Sequence, residues 1–155
     1  MNSRLITLAL STAALPFTVA ALPTPYEQEI LKAALVLEAG DQGEVGMEAI
    51  IHVFINRAGG DRSRIIGQMV KHKALSSLRA VTNQPHPDYG PVLRRAMRDR
   101  VAWRHATAVV ERFMQDDLGP DPTDGADHFD NGFPSWSNSM TLTTVIGDHY
   151  FFRSG

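Results

Sequence analysis

The sequence predicts an α+β fold, a single mostly helical domain with a small C-terminal β-sheet. Three observations lead there. Apolar residues recur mostly at helical spacing from Pro25 to about Met114, whereas residues 143–145 and 149–152 are short β-branched or aromatic runs. Two Pro- and Gly-rich stretches, 84–91 and 116–125, interrupt the pattern, yet no linker-like tract or internal repeat divides the chain. A length of 155 residues with 43% hydrophobic content is enough for one core.

At the N-terminus Arg4 precedes an apolar run over residues 5–15, then Pro16 and the small residues Val19, Ala20 and Ala21. This order matches a secretory signal peptide, expected over residues 1–21, and the run is too short to span a bilayer comfortably. The expected product is an exported domain over residues 22–155, periplasmic or secreted, with no stable membrane anchor. Loss of Arg4 moves the formal charge from −2 to −3, since residues 1–21 hold no acid. Neither value makes an electrostatic case for nucleic acid. There is no cysteine, so the exported domain must hold together without disulfides, and thiol chemistry is excluded.

Residues 25–38 read as one helix, with Thr24 as N-cap, Pro25 at the first helical position and Glu27 closing a capping box. At about 100° per residue, Gln28, Glu29, Lys32 and Val36 share one side, and Glu38 falls opposite them with Leu31, Ala34 and Leu35. A carboxyl on an apolar face loses hydration, which favours its protonated form. A proton-bearing carboxyl at the end of a rigid helix is what general-acid catalysis uses. A tight turn at 40–43 leads into a second helix ending at Arg57, where Gly59 and Gly60 follow; its stripe Glu48, His52, Asn56 reads as a solvated face. A short helix is expected over 65–72, a turn over 75–81 and a loop over 84–91. One long helix is expected over 92–114, burying Trp103, Ala106, Val109, Val110 and Phe113.

Three segments can line a site: the end of the first helix, residues 126–130 and residues 146–152. They place His128 and His149 among acids and aromatics, with Trp136 between them. Phe129, Trp136 and Tyr150 can stack on the apolar faces of sugars, although Phe129 and Phe151 also suit the core of a small sheet. His128, Phe129, Trp136, His149 and Tyr150 are therefore the candidate substrate-binding residues, and Asp41 is a possible second carboxylate. His86, Asp88, His128 and His149 could be assembled into a zinc site, but no His-Glu-x-x-His pair exists, and neither metal nor cofactor is expected. No Gly-x-Ser-x-Gly elbow accompanies Ser76 and Ser77.

Glu38-Ala39 followed by the helix ending Asn56-Arg57, then Ala126-Asp127-His128-Phe129, then Ile146-Gly147-Asp148-His149-Tyr150-Phe151 together resemble the SleB-type cell wall hydrolase family. The resemblance implies a fold related to lytic transglycosylases and lysozyme-like muramidases. It also implies cleavage of peptidoglycan glycan strands, with Glu38 as the catalytic acid. Two departures stand out. Gln42 occupies the place of a second acid in the family's Glu-Ala-x-Gly-Glu, and Ala74-Leu75-Ser76 lacks an aromatic that the family tends to carry. Hydrolysis needs two carboxylates. A lytic transglycosylase needs one, which protonates the leaving oxygen and then takes the proton of the attacking C6 hydroxyl. A single strong candidate favours transglycosylation between N-acetylmuramic acid and N-acetylglucosamine. The rival readings are a non-catalytic periplasmic peptidoglycan-binding module and a zinc-dependent peptidase of the stem peptides.

Overall fold

Helix α1 (Pro25–Ala39) begins where its capping residues dictate. In the computed structural model, Glu27 N–H donates to Thr24 Oγ1 at 3.3 Å and Thr24 N–H donates to the Glu27 carboxylate at 2.8 Å, the reciprocal pair expected. Residues 21–71 and 74–155 are described, so the expected export segment lies outside them except for Ala21. A single 3₁₀ turn (Gly40–Gln42) swings the chain into α2 (Gly43–Arg57).

The polar stripe of α2 does not face water. Glu48 takes hydrogen bonds from Arg112 (3.0 Å) and from Gly119 N–H (2.9 Å), and Glu44 takes another from Arg112 at 2.8 Å. His52 is buried, with Nδ1 3.9 Å from Asp121. Asn56 Nδ2 donates to Asp121 at 2.9 Å and to the Ala126 carbonyl at 2.8 Å. Burial pushes the Asp121 carboxyl up, but the hydrogen bonds from Thr123, Asn56 and Gly125 together outweigh it and hold the group below its ordinary range. The stripe is thus the seam between α2 and the 116–127 loop. Periodicity marks these positions as polar but does not distinguish water from a covering loop rich in backbone donors and acceptors.

Helix α3 (Ile65–Met69) stops short of residue 72, which lies outside the described residues, and α4 (Arg79–Thr82) is a single turn. The long helix expected over 92–114 is two: α5 (Gly90–Ala96) and α6 (Arg100–Gln115). The break belongs to Asp99, whose extended backbone lets Oδ1 accept the N–H groups of Val101 (3.1 Å) and Ala102 (2.9 Å) as a new N-cap. The expected stripe on α6 holds, with Ala106, Val109, Val110 and Phe113 buried and Trp103 half-buried. Helix α1 packs against α2, α5 and α6, and Leu31, Leu35, Ile50, Ile51, Phe54 and Phe113 are fully buried at the centre.

The sheet is antiparallel with order β1-β3-β2, from β1 (His128–Asp130), β2 (Thr141–Ile146) and β3 (His149–Arg153). The two expected strands are present and slightly longer than expected, and residues 128–130 pair as a third. Gly147, φ +57°, takes the first of the two turn positions between β2 and β3, where hairpins of type II′ use glycine. Phe151 packs with Ala49, Val53 and Ala126 in a second, smaller core that fastens the sheet to α2, and Phe129 touches both cores. Among the described residues no helix is long and apolar enough to cross a membrane.

Candidate active site

A cleft of about 570 Å³ opens between the end of α1, the end of α2, the 74–79 segment and the sheet. Each wall has a local cause. The last turn of α1 delivers Glu38, half-buried at the point where the chain bends into the 3₁₀ turn. Glu38 Oε1 accepts the Ser77 backbone N–H at 2.9 Å and a longer contact from Ser76 Oγ at 3.4 Å. Its other oxygen, Oε2, takes no hydrogen bond from a described residue. One oxygen is therefore held by the protein, while the other has no hydrogen-bond partner among the described residues.

The end of α2 sets the opposite wall. Arg57 stacks on Phe54, 4.7 Å from guanidinium carbon to ring centre, and its Nε donates to the Asp127 carbonyl in a short contact. Burial pulls the Arg57 guanidinium below its ordinary value, and the Asp127 charge pulls it back up. Together with the Asn56 bond to Ala126, this fixes the start of β1 and so the positions of His128 and Phe129. Asp127 is tied down in turn. It accepts the Ser154 N–H at 2.9 Å, bonds the Ser154 hydroxyl and lies 2.9 Å from His128 Nδ1. Burial pushes the Asp127 carboxyl up, and the bonds from Ser154 and His128 together outweigh that and lower it.

Of the residues expected at a site, Glu38, His128, Phe129, Trp136 and His149 line this one cleft. Trp136 stands at its rim, ring centres 5.5 Å from both His128 and Phe152. Tyr150 does not line it. Neighbouring strand residues point to opposite faces, so Tyr150 turns away from the side of His149 and packs on Phe133, 4.8 Å between centres. Asp41 is exposed and lines an adjoining cavity of about 400 Å³, which shares Glu38 with the cleft and also includes Gln42, Asp99 and Asp148. His86 and Asp88 lie in the exposed loop before α5, apart from His128 and His149. Among the described residues no three His, Asp or Glu side chains gather with metal-ligand geometry.

The cleft also recruits Asp130, the last residue of the 126–130 segment expected to line a site, and Arg57, Arg79 and Asn131, which lie outside the three expected segments. Arg57 had a signal, as the final residue of the Asn-Arg pair that closes α2. Arg79 and Asn131 are ordinary polar residues whose role comes only from tertiary placement.

The chain matches the family model described as Cell Wall Hydrolase over residues 41–152. That span begins just after Glu38 and takes in Gln42, Asn56, Arg57, His128 and His149. No curated protein and no solved structure matches the chain. The family match covers well over half of the sequence and all of the cleft apart from the helix that carries Glu38, and it shows that this protein belongs to the SleB-type cell wall hydrolase family, whose substrate is peptidoglycan.

Proposed function

We propose that the cleft binds a peptidoglycan glycan strand and that Glu38 cleaves it between N-acetylmuramic acid and N-acetylglucosamine as a lytic transglycosylase. One observation carries this reading: Glu38 has Oε1 pinned by the Ser77 N–H and Oε2 without a hydrogen-bond partner among the described residues, in a cleft rimmed by Trp136 and lined by Arg57, Arg79 and His128 as well as Asp130. The Glu38 carboxyl gives its proton to the glycosidic oxygen as the bond from that oxygen to C1 of the muramic residue breaks. The C6 hydroxyl oxygen of the same residue bonds to C1, and its proton passes to the now ionised Glu38, which is ready for the next turnover. Trp136 offers a flat apolar face to a sugar ring, and Arg57 and Arg79 supply donors and positive charge for the carboxylates and amides that peptidoglycan carries.

Digestion of purified peptidoglycan followed by mass analysis checks the chemistry. The expected products end in 1,6-anhydro-N-acetylmuramic acid, one water lighter than hydrolytic fragments. Reducing ends would overturn transglycosylation and give a water-activating role to a second carboxylate. Asp130, which lies in the cleft, would be a better placed candidate for that role than Asp41.

The export segment expected over residues 1–21 belongs to the same reading, because peptidoglycan lies outside the cytoplasmic membrane. Protein recovered from the cell envelope is expected to lack that segment by intact mass. A species that keeps Met1 to Ala21 and stays membrane-fixed would refute export by cleavage.

A further inference from the structure

His149 is only 2% exposed yet forms part of the cleft wall. Its Nδ1 lies 3.0 Å from Gln42 Oε1. An amide oxygen only accepts, so with the Gln42 oxygen assigned toward the ring Nδ1 carries the proton, and a neutral imidazole protonated there has a bare lone pair on Nε2. Gln42 is held in place on two sides. A Cβ on Gly46 would come within 2.6 Å of Gln42 Cβ, and one on Gly147 within 2.7 Å of Gln42 Oε1, so both neighbours are glycine and the side chain fills the space they leave. Phe129 meets the His149 ring edge-to-face at 5.2 Å and limits its rotation from the other side.

We propose that Gln42 is a positioning residue that fixes His149 as the Nδ1–H tautomer, so that Nε2 accepts a hydrogen bond from an uncharged N–H or O–H of the glycan, an acetamido or hydroxyl group. The proposal rests on the reading that the cleft binds glycan and adds a recognition device to it. It also gives physical meaning to the amide at position 42. A carboxylate there, 3 Å from Nδ1, would favour the imidazolium, which has no lone pair to offer. The amide sets the same geometry without that charge.

The surroundings agree. Burial pulls the His149 imidazole below its ordinary value. Glu38 at the end of α1, Asp41 in the 3₁₀ turn, Asp148 in the hairpin turn and Asp130 on β1 all pull the other way, and burial prevails. Arg57 and His128 share the cleft wall. The sign of the linkage follows: the unfolded chain takes up a proton at the ordinary imidazole value, near 6.5, while the folded ring resists it. The stability that the neutral ring contributes is complete above that pH and is lost as pH falls from there through the lower folded value.

The test separates tautomer from catalysis. Long-range ¹H–¹⁵N correlation on the labelled, ligand-free chain is expected to show His149 with a protonated Nδ1 and a bare Nε2 at neutral pH. Calorimetric binding of an uncharged N-acetylglucosamine oligomer in a Glu38→Gln background, where no turnover intervenes, is expected to weaken as His149 titrates. Gln42→Met, which keeps length but removes the acceptor, should mix the tautomers and weaken binding by about 3- to 10-fold, the worth of one hydrogen bond. Gln42→Glu should move the His149 titration, and the pH at which binding weakens, upward. A protonated Nε2 in the wild type would overturn the proposal, as would unchanged binding in both variants with the tautomer altered. Absence of product from wild-type protein on peptidoglycan would instead count against the lytic reading and leave the tautomer and binding measurements to decide this one.

Discussion

Glu38→Gln is expected to fold as the wild type does and to lose glycan cleavage by about 10²–10⁴-fold, the usual worth of a general acid. The amide oxygen can keep the hydrogen bond from Ser77 N–H, so stability should stay within about 1 kcal/mol of wild type. The amide nitrogen cannot give up a proton to a glycosidic oxygen. Release of soluble fragments from purified peptidoglycan, read beside a thermal melt, separates loss of chemistry from loss of fold. Cleavage near the wild-type rate in this variant would remove Glu38 from the mechanism.

Phe151→Ala is expected to produce the largest loss of stability, about 3–5 kcal/mol. Phe151 is fully buried, and the core it shares with Ala49, Val53 and Ala126 is small. Of the three buried residues that share this core with it, two are already alanine and have little side chain to move into the space. The same side chain fastens the sheet to α2, so the change should also loosen the wall that holds His128 and His149. Chemical denaturation measures the first effect. A loss below about 1 kcal/mol would mean that the sheet is held to the helices mainly by the polar seam of Asn56, Arg57 and Asp127.

The sequence made the helices and the catalytic candidate legible for the same reason: both are local. Capping at Thr24 and Glu27, the apolar period of α6 and the placement of Glu38 against Leu31 and Leu35 depend on residues within a few turns of one another. Asp99 was also local, and the break it makes was readable in principle, as an N-cap residue inside an otherwise continuous apolar period. The rest was not readable in this way. The stripe Glu48, His52, Asn56 has the pattern of a wet surface, and only the return of a loop 65 to 71 residues later turns it into an interior seam. Tyr150 and His149 are adjacent in sequence, but strand geometry sends them to opposite faces. Gln42 stands in sequence where the family often has an acid, and only its contact with His149, 107 residues away, gives the amide a partner.

The two tryptophans of this chain sit in different surroundings, one on a helix and one at the cleft. Trp103 lies on α6 under Lys32, whose Nζ stands 6.0 Å from the ring centre, while Trp136 stands at the rim of the cleft. A sugar entering the cleft meets the second indole and not the first. The protein thus carries its own optical probe of occupancy: replacing Trp103 by phenylalanine leaves one tryptophan, at the cleft mouth. With no cysteine anywhere in the sequence, a single introduced thiol would accept an acceptor dye at one chosen position, making the distance from cleft to dye readable as ligand arrives.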